Sequence, residues 1–153
     1  TFHIQPLVGA ITAVDTSREM LKMIARKKSG LAPDNVAVRL SDLSDPDLGP
    51  FDVIFSSMTL HHVPDTAGFL RRCRTLLKPD GWLAIADLDT ESGEFHGDLP
   101  DVHHRGFDRP ALAALFSSCG FRDVTTEDVT SLQKPNAQGA LREYSVFLIS
   151  ARS

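Results

Sequence analysis

The sequence predicts an α/β fold built on a mostly parallel sheet. Apolar strand-like runs alternate with stretches of helical periodicity, and neither repeats nor low-complexity tracts interrupt them. The 153 residues are enough for one domain with its own core but too few for two. We therefore expect a single domain over residues 1–153.

The first elements are a helix end and a strand–helix pair. Residues 1–8 have the composition of a helix end that Pro6 and Gly9 would close. The next apolar run stops at an acid, and Thr16 with Glu19 three residues later predicts a helix that begins with a capping box. The predicted bounds are a strand over 10–15 and a helix over 16 to about 28.

The alternation continues to the C-terminal part of the chain. A helix stopped by the segment KPDG precedes the fourth strand, and Asp108 caps a later helix with Pro110 in its first turn and Gly120 past its end. Only a polar turn region, residues 130–143, separates the last two strands, so we expect them to be antiparallel. The predicted strands are 35–41, 51–55, 82–88, 122–129 and 144–151, and the helix before the fourth strand is 65–77.

Residues 89–106 fit no element and are rich in glycine, histidine and acids. Structureless loops of this length are uncommon in compact domains, and many of them cover or bind substrates. We therefore expect a substrate or lid loop here.

Composition and charge argue against several classes of function. A net charge of −4 disfavours nucleic acid as the main partner, and no apolar run approaches the roughly 20 residues of a membrane span. Cys73 and Cys119 each lie on an apolar stripe at helical spacing, which predicts core residues rather than a disulfide or a catalytic thiol. Reduced cysteines fit a cytoplasmic protein.

Acids follow the first two predicted strands, at the edge of a parallel sheet where ligands bind. Asp15 is interpreted either as an acid that favours the dipole of the next helix or as a carboxylate that binds the vicinal hydroxyls of a ribose. Asp42 is interpreted either as a turn residue or as an acceptor for an exocyclic amine such as that of adenine. In the second case the backbone N–H of Leu43 could donate to a ring nitrogen.

The order of these segments resembles the class I S-adenosylmethionine-dependent methyltransferases, especially small-molecule members of the ubiquinone/menaquinone-biosynthesis type. The resemblance runs from about Gly9 to Arg152. It implies a Rossmann-like three-layer αβα sandwich with an antiparallel C-terminal strand, S-adenosyl-L-methionine as cofactor and S-adenosylhomocysteine as product. The segments that carry it are AITAVDTSREML, VRLSD, FDVIFSSMTLHHVPD, FLRRCRTLLKPDGWLAIAD and HHRGFDRPALAALFSSCGF.

The resemblance also implies roles for the residues of the first two strand ends. Asp15 would bind the ribose hydroxyls. Thr16 and Met20 would flank the adenine, whose edge would contact Asp42 and Leu43.

The resemblance places Ser56 and Ser57 beside the methionine end and the sulfonium. Ser57 falls where base-methylating members carry the asparagine of an Asn-Pro-Pro-Tyr motif, so the stretch SSMT counts against amino methylation of DNA bases. The family's first strand and its glycine-rich loop have no counterpart in the sequence. Because that strand lies in the middle of the family's sheet, its absence would leave two buried edges unpaired. We expect a cropped N-terminus or an element supplied by another chain, as in a homodimer.

His61 and His104 are the candidates for a general base, because the pKa of histidine lies near working pH. His61 could instead pack at a loop-to-helix junction, as could its neighbour His62. For His104 and the adjacent His103 the alternatives are a solvated loop, a contact to substrate or a metal site. No closed ligand spacing such as His-x₃-His is present, so no metal is predicted.

The predicted function is methyl transfer to a small-molecule acceptor, with no nucleic acid or membrane as partner. Such a reaction mainly requires that nucleophile, methyl group and leaving sulfur be aligned and that water be excluded. One alternative is a nicotinamide-dependent oxidoreductase, which would also place an acid like Asp15 on a ribose. The other is a non-catalytic methyltransferase-like binding module.

Overall fold

The computed structural model describes residues 1–31, 34–97, 99–136 and 139–153. These residues form two units, 1–48 and 49–153, each with its own hydrogen-bonded strands. Both units combine parallel strands with helices, in agreement with the predicted α/β class. Residue 98 of the predicted loop and residues 137 and 138 of the predicted turn lie outside the described residues.

The first unit is a strand–helix–strand arrangement. Strand β1 (Ile11–Asp15) and strand β2 (Val36–Leu40) are parallel and are joined by helix α1 (Arg18–Leu31). Alternation along β1 buries Ile11 and Ala13, which share a small core with Val36 of β2. Because the register pairs Asp15 with Leu40, both strands end at the same edge.

The predicted helix end at residues 1–8 is wrong. The segment contains only a 3-10 turn, Gln5–Leu7, and Pro6 lies inside this turn rather than after it. Proline is tolerated in the first positions of a helical turn because those positions need no N–H partner.

The predicted capping box of α1 is also wrong. The helix begins at Arg18, and the Oγ of Ser17 accepts a hydrogen bond from the backbone N–H of Met20 at 3.3 Å. Glu19 instead forms an exposed ion pair with Lys22. Thr16 and Ser17 are both residue types that cap helices. The turn that follows Asp15 at the end of β1 favours Ser17 as the cap.

The second unit contains a four-stranded mixed sheet in the order β3-β4-β6-β5. Strands β3 and β4 are parallel, whereas β6 is antiparallel to both β4 and β5, which confirms the prediction for the last two strands. Within the described residues β3 pairs only with β4, and its Val53 and Phe55 are exposed. The strand bounds are Phe51–Ser57 for β3, Leu77–Leu88 for β4, Arg122–Pro135 for β5 and Leu141–Arg152 for β6.

Strands β5 and β6 extend through most of the segment that was predicted to be a turn. Lys134 pairs with Arg142, and Pro135 pairs with Leu141. The side chains of this ribbon are exposed and lack the hydrophobic alternation that identifies a strand from sequence. The strands extend here through backbone pairing.

Helix α2 (Thr66–Leu76) and helix α3 (Arg109–Ser118) begin at capped residues. Asp65 accepts from the N–H of Gly68 at 2.8 Å, and Asp108 accepts from the N–H of Ala111 at 2.9 Å. The cap of α3 at Asp108 is the one that the sequence predicts. Cys73 is buried on α2, and burial raises the pKa of its thiol to about 12. The fully buried side chains of this unit include Leu70, Leu83, Ile85, Phe116, Phe147 and Ile149.

The loop between β4 and α3 is closed at its base. The N–H of Phe107 donates to the carbonyl of Leu88 at 2.9 Å, and the N–H of Thr90 donates back to Phe107. Gly106 adopts a positive φ of 70° beside the backbone of Asp89, where a Cβ would collide with the carbonyl oxygen. The ends of the loop are therefore fixed on the sheet.

No helix among the described residues is long and apolar enough to cross a membrane.

Candidate functional site

Asp15 is the last residue of β1, and one of its two carboxylate oxygens accepts a hydrogen bond. Its Oδ1 accepts a hydrogen bond from the backbone N–H of Ser17 at 2.8 Å, which turns the chain into α1. Its Oδ2 has no hydrogen bond in the part of the chain that the structure describes. The side chain is half-buried, so one acceptor oxygen remains available at the carboxyl edge of β1.

Asp42 and Leu43 follow β2 at the same edge of the first unit. The Oδ1 of Asp42 accepts from the N–H of Ser44 at 3.0 Å, as a turn residue would. Leu43 has a positive φ of 72°, and its N–H donates to the Oγ of Ser41 at 3.0 Å. The backbone donor that the resemblance assigns to a ring nitrogen is thus held by a serine hydroxyl.

Thr16 and Met20 flank the start of α1 with exposed side chains. Met20 is 45% exposed although it is apolar, and an exposed thioether beside a strand end can cover a flat ring.

Ser56 and Ser57 are the last two residues of β3, in the second unit. They pair with Ile85 and Ala86 of β4, which makes the end of β3 a rigid part of the sheet. The chain then turns sharply at Met58, whose φ is 54°. Ser57 is exposed at the carboxyl end of the strand.

His61 is buried and paired with Asp87, a buried acid near the end of β4. Its Nδ1 lies 2.7 Å from the Oδ1 of Asp87, and the exposed fractions of the two side chains are 1% and 0%. Asp87 also accepts from the backbone N–H groups of His61 and Leu88, at 3.3 and 2.8 Å. A carboxylate can only accept, so Nδ1 of His61 carries the hydrogen and Nε2 is the proton-accepting nitrogen of the neutral ring.

Two further imidazoles surround His61. The ring centroids of His61 and His62 are 4.2 Å apart, and those of His61 and His96 are 4.4 Å apart. The Nδ1 of His62 donates to the carbonyl of Asp101 at 2.7 Å, which fastens the loop to the 3-10 turn Leu60–His62. Burial lowers the pKa of His96, and the neighbouring His61 and His62 lower it further. His96 is therefore neutral near pH 7.

His104 holds the other end of the loop. Its Nε2 donates to the carbonyl of Val63 at 2.9 Å and lies 3.2 Å from the Oγ1 of Thr66. The backbone N–H groups of His103 and His104 both donate to the carbonyl of His61. The structure thus brings His61 and His104 to the same 3-10 turn, but with the Nε2 of His104 already engaged.

An ion-pair network ties α3 to the end of β4. Arg109 binds both carboxylate oxygens of Asp89 at 2.6 Å and the Oδ1 of Asp128 at 2.7 Å, and its guanidinium lies 5.1 Å from the ring centre of Phe147. The hydrogen bonds that Arg109 donates to Asp89 are the main reason that the pKa of Arg109 is raised. This network fixes the residue at which the loop leaves the sheet.

The sequence alone predicts no specific role for Asp87, His96 or Arg109. Asp87 had one visible signal, a charged residue within the apolar alternation of β4. The partners of His96 and Arg109 are distant in sequence, so no local pattern identifies them. Among the described residues no group of three or more His, Cys, Asp or Glu side chains is arranged to hold a metal ion.

Residues 1–85 match the family described as "Methyltransferase domain". The match covers more than half of the chain, and the chain belongs to this family. The class inferred from the resemblance is confirmed.

Two curated relatives illustrate the match. An uncharacterized methyltransferase of Schizosaccharomyces pombe is 29% identical over 139 residues, which cover 80% of this chain and 49% of the relative. The ubiquinone biosynthesis O-methyltransferase of Xanthomonas axonopodis pv. citri is 28% identical over 141 residues, which cover 82% and 58%. The chain thus spans about half the length of the curated relatives it matches.

A solved structure supports the fold. The phosphoethanolamine N-methyltransferase 2 of Haemonchus contortus, in complex with S-adenosyl-L-methionine, matches with a TM-score of 0.78 at 17% identity. The match covers 99% of this chain and 45% of the other. At this identity the similarity shows the fold alone, and it confirms the predicted Rossmann-like α/β class.

Proposed function

We propose that the protein transfers a methyl group from S-adenosyl-L-methionine to a small-molecule acceptor. The observation that carries this proposal, within the methyltransferase family, is Asp15: an acid at the end of β1 with one unbonded carboxylate oxygen. A carboxylate with a free oxygen at a strand end suits the vicinal hydroxyls of a ribose. When bound, the cofactor supplies a methyl group on a positively charged sulfonium.

The residues at the other strand ends receive roles in binding. Asp42 accepts from the exocyclic amine of adenine, and the N–H of Leu43 would exchange the Ser41 hydroxyl for a ring nitrogen. Thr16 and Met20 cover the adenine. Ser56 and Ser57 serve the methionine end, which their fixed positions at the end of β3 favour.

His61 is the residue that we propose as the general base. The hydrogen bond to Asp87 holds the Nδ1–H tautomer, which leaves the Nε2 lone pair for an acceptor proton, and the carboxylate stabilises the imidazolium that forms. His104, the other candidate, could act only through Nδ1 while its Nε2 donates to Val63.

We also propose a cytoplasmic location, with neither nucleic acid nor membrane as partner.

The experiment is a thermal-shift series on the intact protein with S-adenosylhomocysteine, S-adenosyl-L-methionine and NAD. Stabilisation by the first two but not by NAD is the expected result, since only ligands of the native state raise its melting temperature. Stabilisation by NAD alone would support an oxidoreductase instead. Cofactor binding without methyl transfer to any acceptor tested would favour a binding module.

A further inference from the structure

Two buried imidazole nitrogens of the second unit have no hydrogen-bond partner among the described residues. They are the Nε2 atoms of His61 and His96, whose rings are in contact at a centroid distance of 4.4 Å. Buried polar side-chain atoms are nearly always hydrogen-bonded, to protein or to another molecule. A neighbouring pair of unpartnered nitrogens therefore indicates a group that binds between these side chains.

The two nitrogens differ in what they can offer. In its neutral form His61 offers a lone pair on Nε2, because Asp87 holds the hydrogen on Nδ1. Burial lowers the pKa of His96 and keeps its ring neutral, so the ring offers one N–H and one lone pair. With the hydrogen on Nε2, His96 supplies the donor that His61 lacks.

His96 is also one of the residues that line a cavity. The cavity has a volume of about 310 Å³ and is bounded by the loop that follows β4. Leu99, Pro100 and Val102 supply apolar wall, with Glu91 and Arg105 as charged groups. This volume is at the lower end of the range for small-molecule sites, so the cavity suits the body of a compact ligand.

We propose that the Nε2 atoms of His61 and His96 together bind a neutral hydroxyl group of the methyl acceptor, with its body in this cavity. The inference deepens the proposed function and rests on it. A hydroxyl has one hydrogen to donate, to His61, and lone pairs to accept from His96. A protonated amine has only donors, so it cannot accept from His96 while the hydrogen is on Nε2. His96 is thus a specificity-determining residue, which selects a hydroxyl over an ammonium group.

The test uses phenol as a hydroxyl probe and benzylammonium as a cationic probe of similar size, added to the full chain without cofactor. Long-range ¹H–¹⁵N spectra report each imidazole nitrogen. We expect phenol to shift the Nε2 resonances of His61 and His96 but not those of the exposed His103. Benzylammonium should shift neither. Absence of a phenol shift at both nitrogens, or equal binding of the two probes, would overturn the proposal.

Two variants separate hydrogen bonding from packing. His96→Phe keeps an aromatic ring on His61 but removes the nitrogen, and it should weaken phenol binding about tenfold, the scale of one lost hydrogen bond. His96→Asn retains an N–H donor and should recover part of the loss. The matched control His103→Phe should bind phenol like the parent protein. Unchanged phenol affinity in His96→Phe contradicts the proposal.

The outcomes distinguish this inference from the proposed function. Phenol shifts in a protein that fails to bind S-adenosylhomocysteine would retain the hydroxyl site and reject methyl transfer. Binding of S-adenosylhomocysteine without phenol shifts would retain methyl transfer and reject the hydroxyl site.

Discussion

Asp15 and Asp87 both lie at the carboxyl end of a parallel strand, and the two units use them in opposite ways. Asp15 ends β1 half-buried and accepts one backbone hydrogen bond, so one oxygen is unbonded. Asp87, near the end of β4, is completely buried and accepts from the Nδ1 of His61 and from two backbone N–H groups. Asp15 therefore has an oxygen available to a ligand, whereas both oxygens of Asp87 accept hydrogen bonds within the protein.

This difference shows why a strand-end acid by itself does not define a binding residue. A buried carboxylate is tolerated only when its oxygens are satisfied, and that satisfaction removes it from direct contact with a ligand. Asp87 can affect chemistry only through His61, whereas Asp15 can contact a ligand itself. Variants of the two acids should therefore separate stability from binding.

The largest effect is expected for Asp87→Ala. Removal of this carboxylate leaves the Nδ1 of His61 and two backbone N–H groups buried without their acceptor, which should lower the free energy of unfolding by about 3–5 kcal/mol. Urea denaturation followed by the fluorescence of Trp82 measures the loss. Asp15→Ala is the control and should change stability by less than about 1 kcal/mol. Equal losses in the two variants would remove the contrast.

The next effect concerns binding and reverses the ranking. Asp15→Ala should weaken S-adenosylhomocysteine binding by roughly 1.5–3 kcal/mol, the scale for losing a charged hydrogen-bond partner. Isothermal titration calorimetry measures this change. Asp45 accepts from the N–H of Asp47 in the same type of turn but away from a strand end, so Asp45→Ala is a matched control that should bind normally. Unchanged affinity in Asp15→Ala would remove this residue from the site.

The sequence predicted the features that local chemistry determines. Strand β1, the order of strands and helices, and the cap of α3 at Asp108 all follow from apolar periodicity or from residue types a few positions apart. The His61–Asp87 pair and the contact of His96 join segments distant in the chain, so only the fold reveals them. The extension of β5 to Pro135 depends in the same way on pairing with β6.

The start of α1 gives a smaller test of how Asp15 is positioned. Because the Oγ of Ser17 accepts from the N–H of Met20, Ser17→Ala should cost about 1 kcal/mol of stability. Thr16→Ala, at the cap that the sequence predicted, should cost only a few tenths of this, since Thr16 is exposed and precedes the cap. Urea denaturation of both variants compares them. A larger loss for Thr16→Ala would restore the capping box.

The smallest effect is the pH dependence contributed by His96. Burial lowers the pKa of its imidazole in the folded protein below the ordinary value of about 6.5. The unfolded chain then binds more protons than the native protein just below this pH, so stability falls as the pH drops through about 6.5 and is unaffected above it. Urea midpoints measured on both sides of this pH report the slope. His96→Phe should remove this contribution, and His103→Phe should retain it, because His103 is exposed. An identical pH slope in all three proteins would show that His96 titrates like a solvated histidine and is not held neutral beside His61.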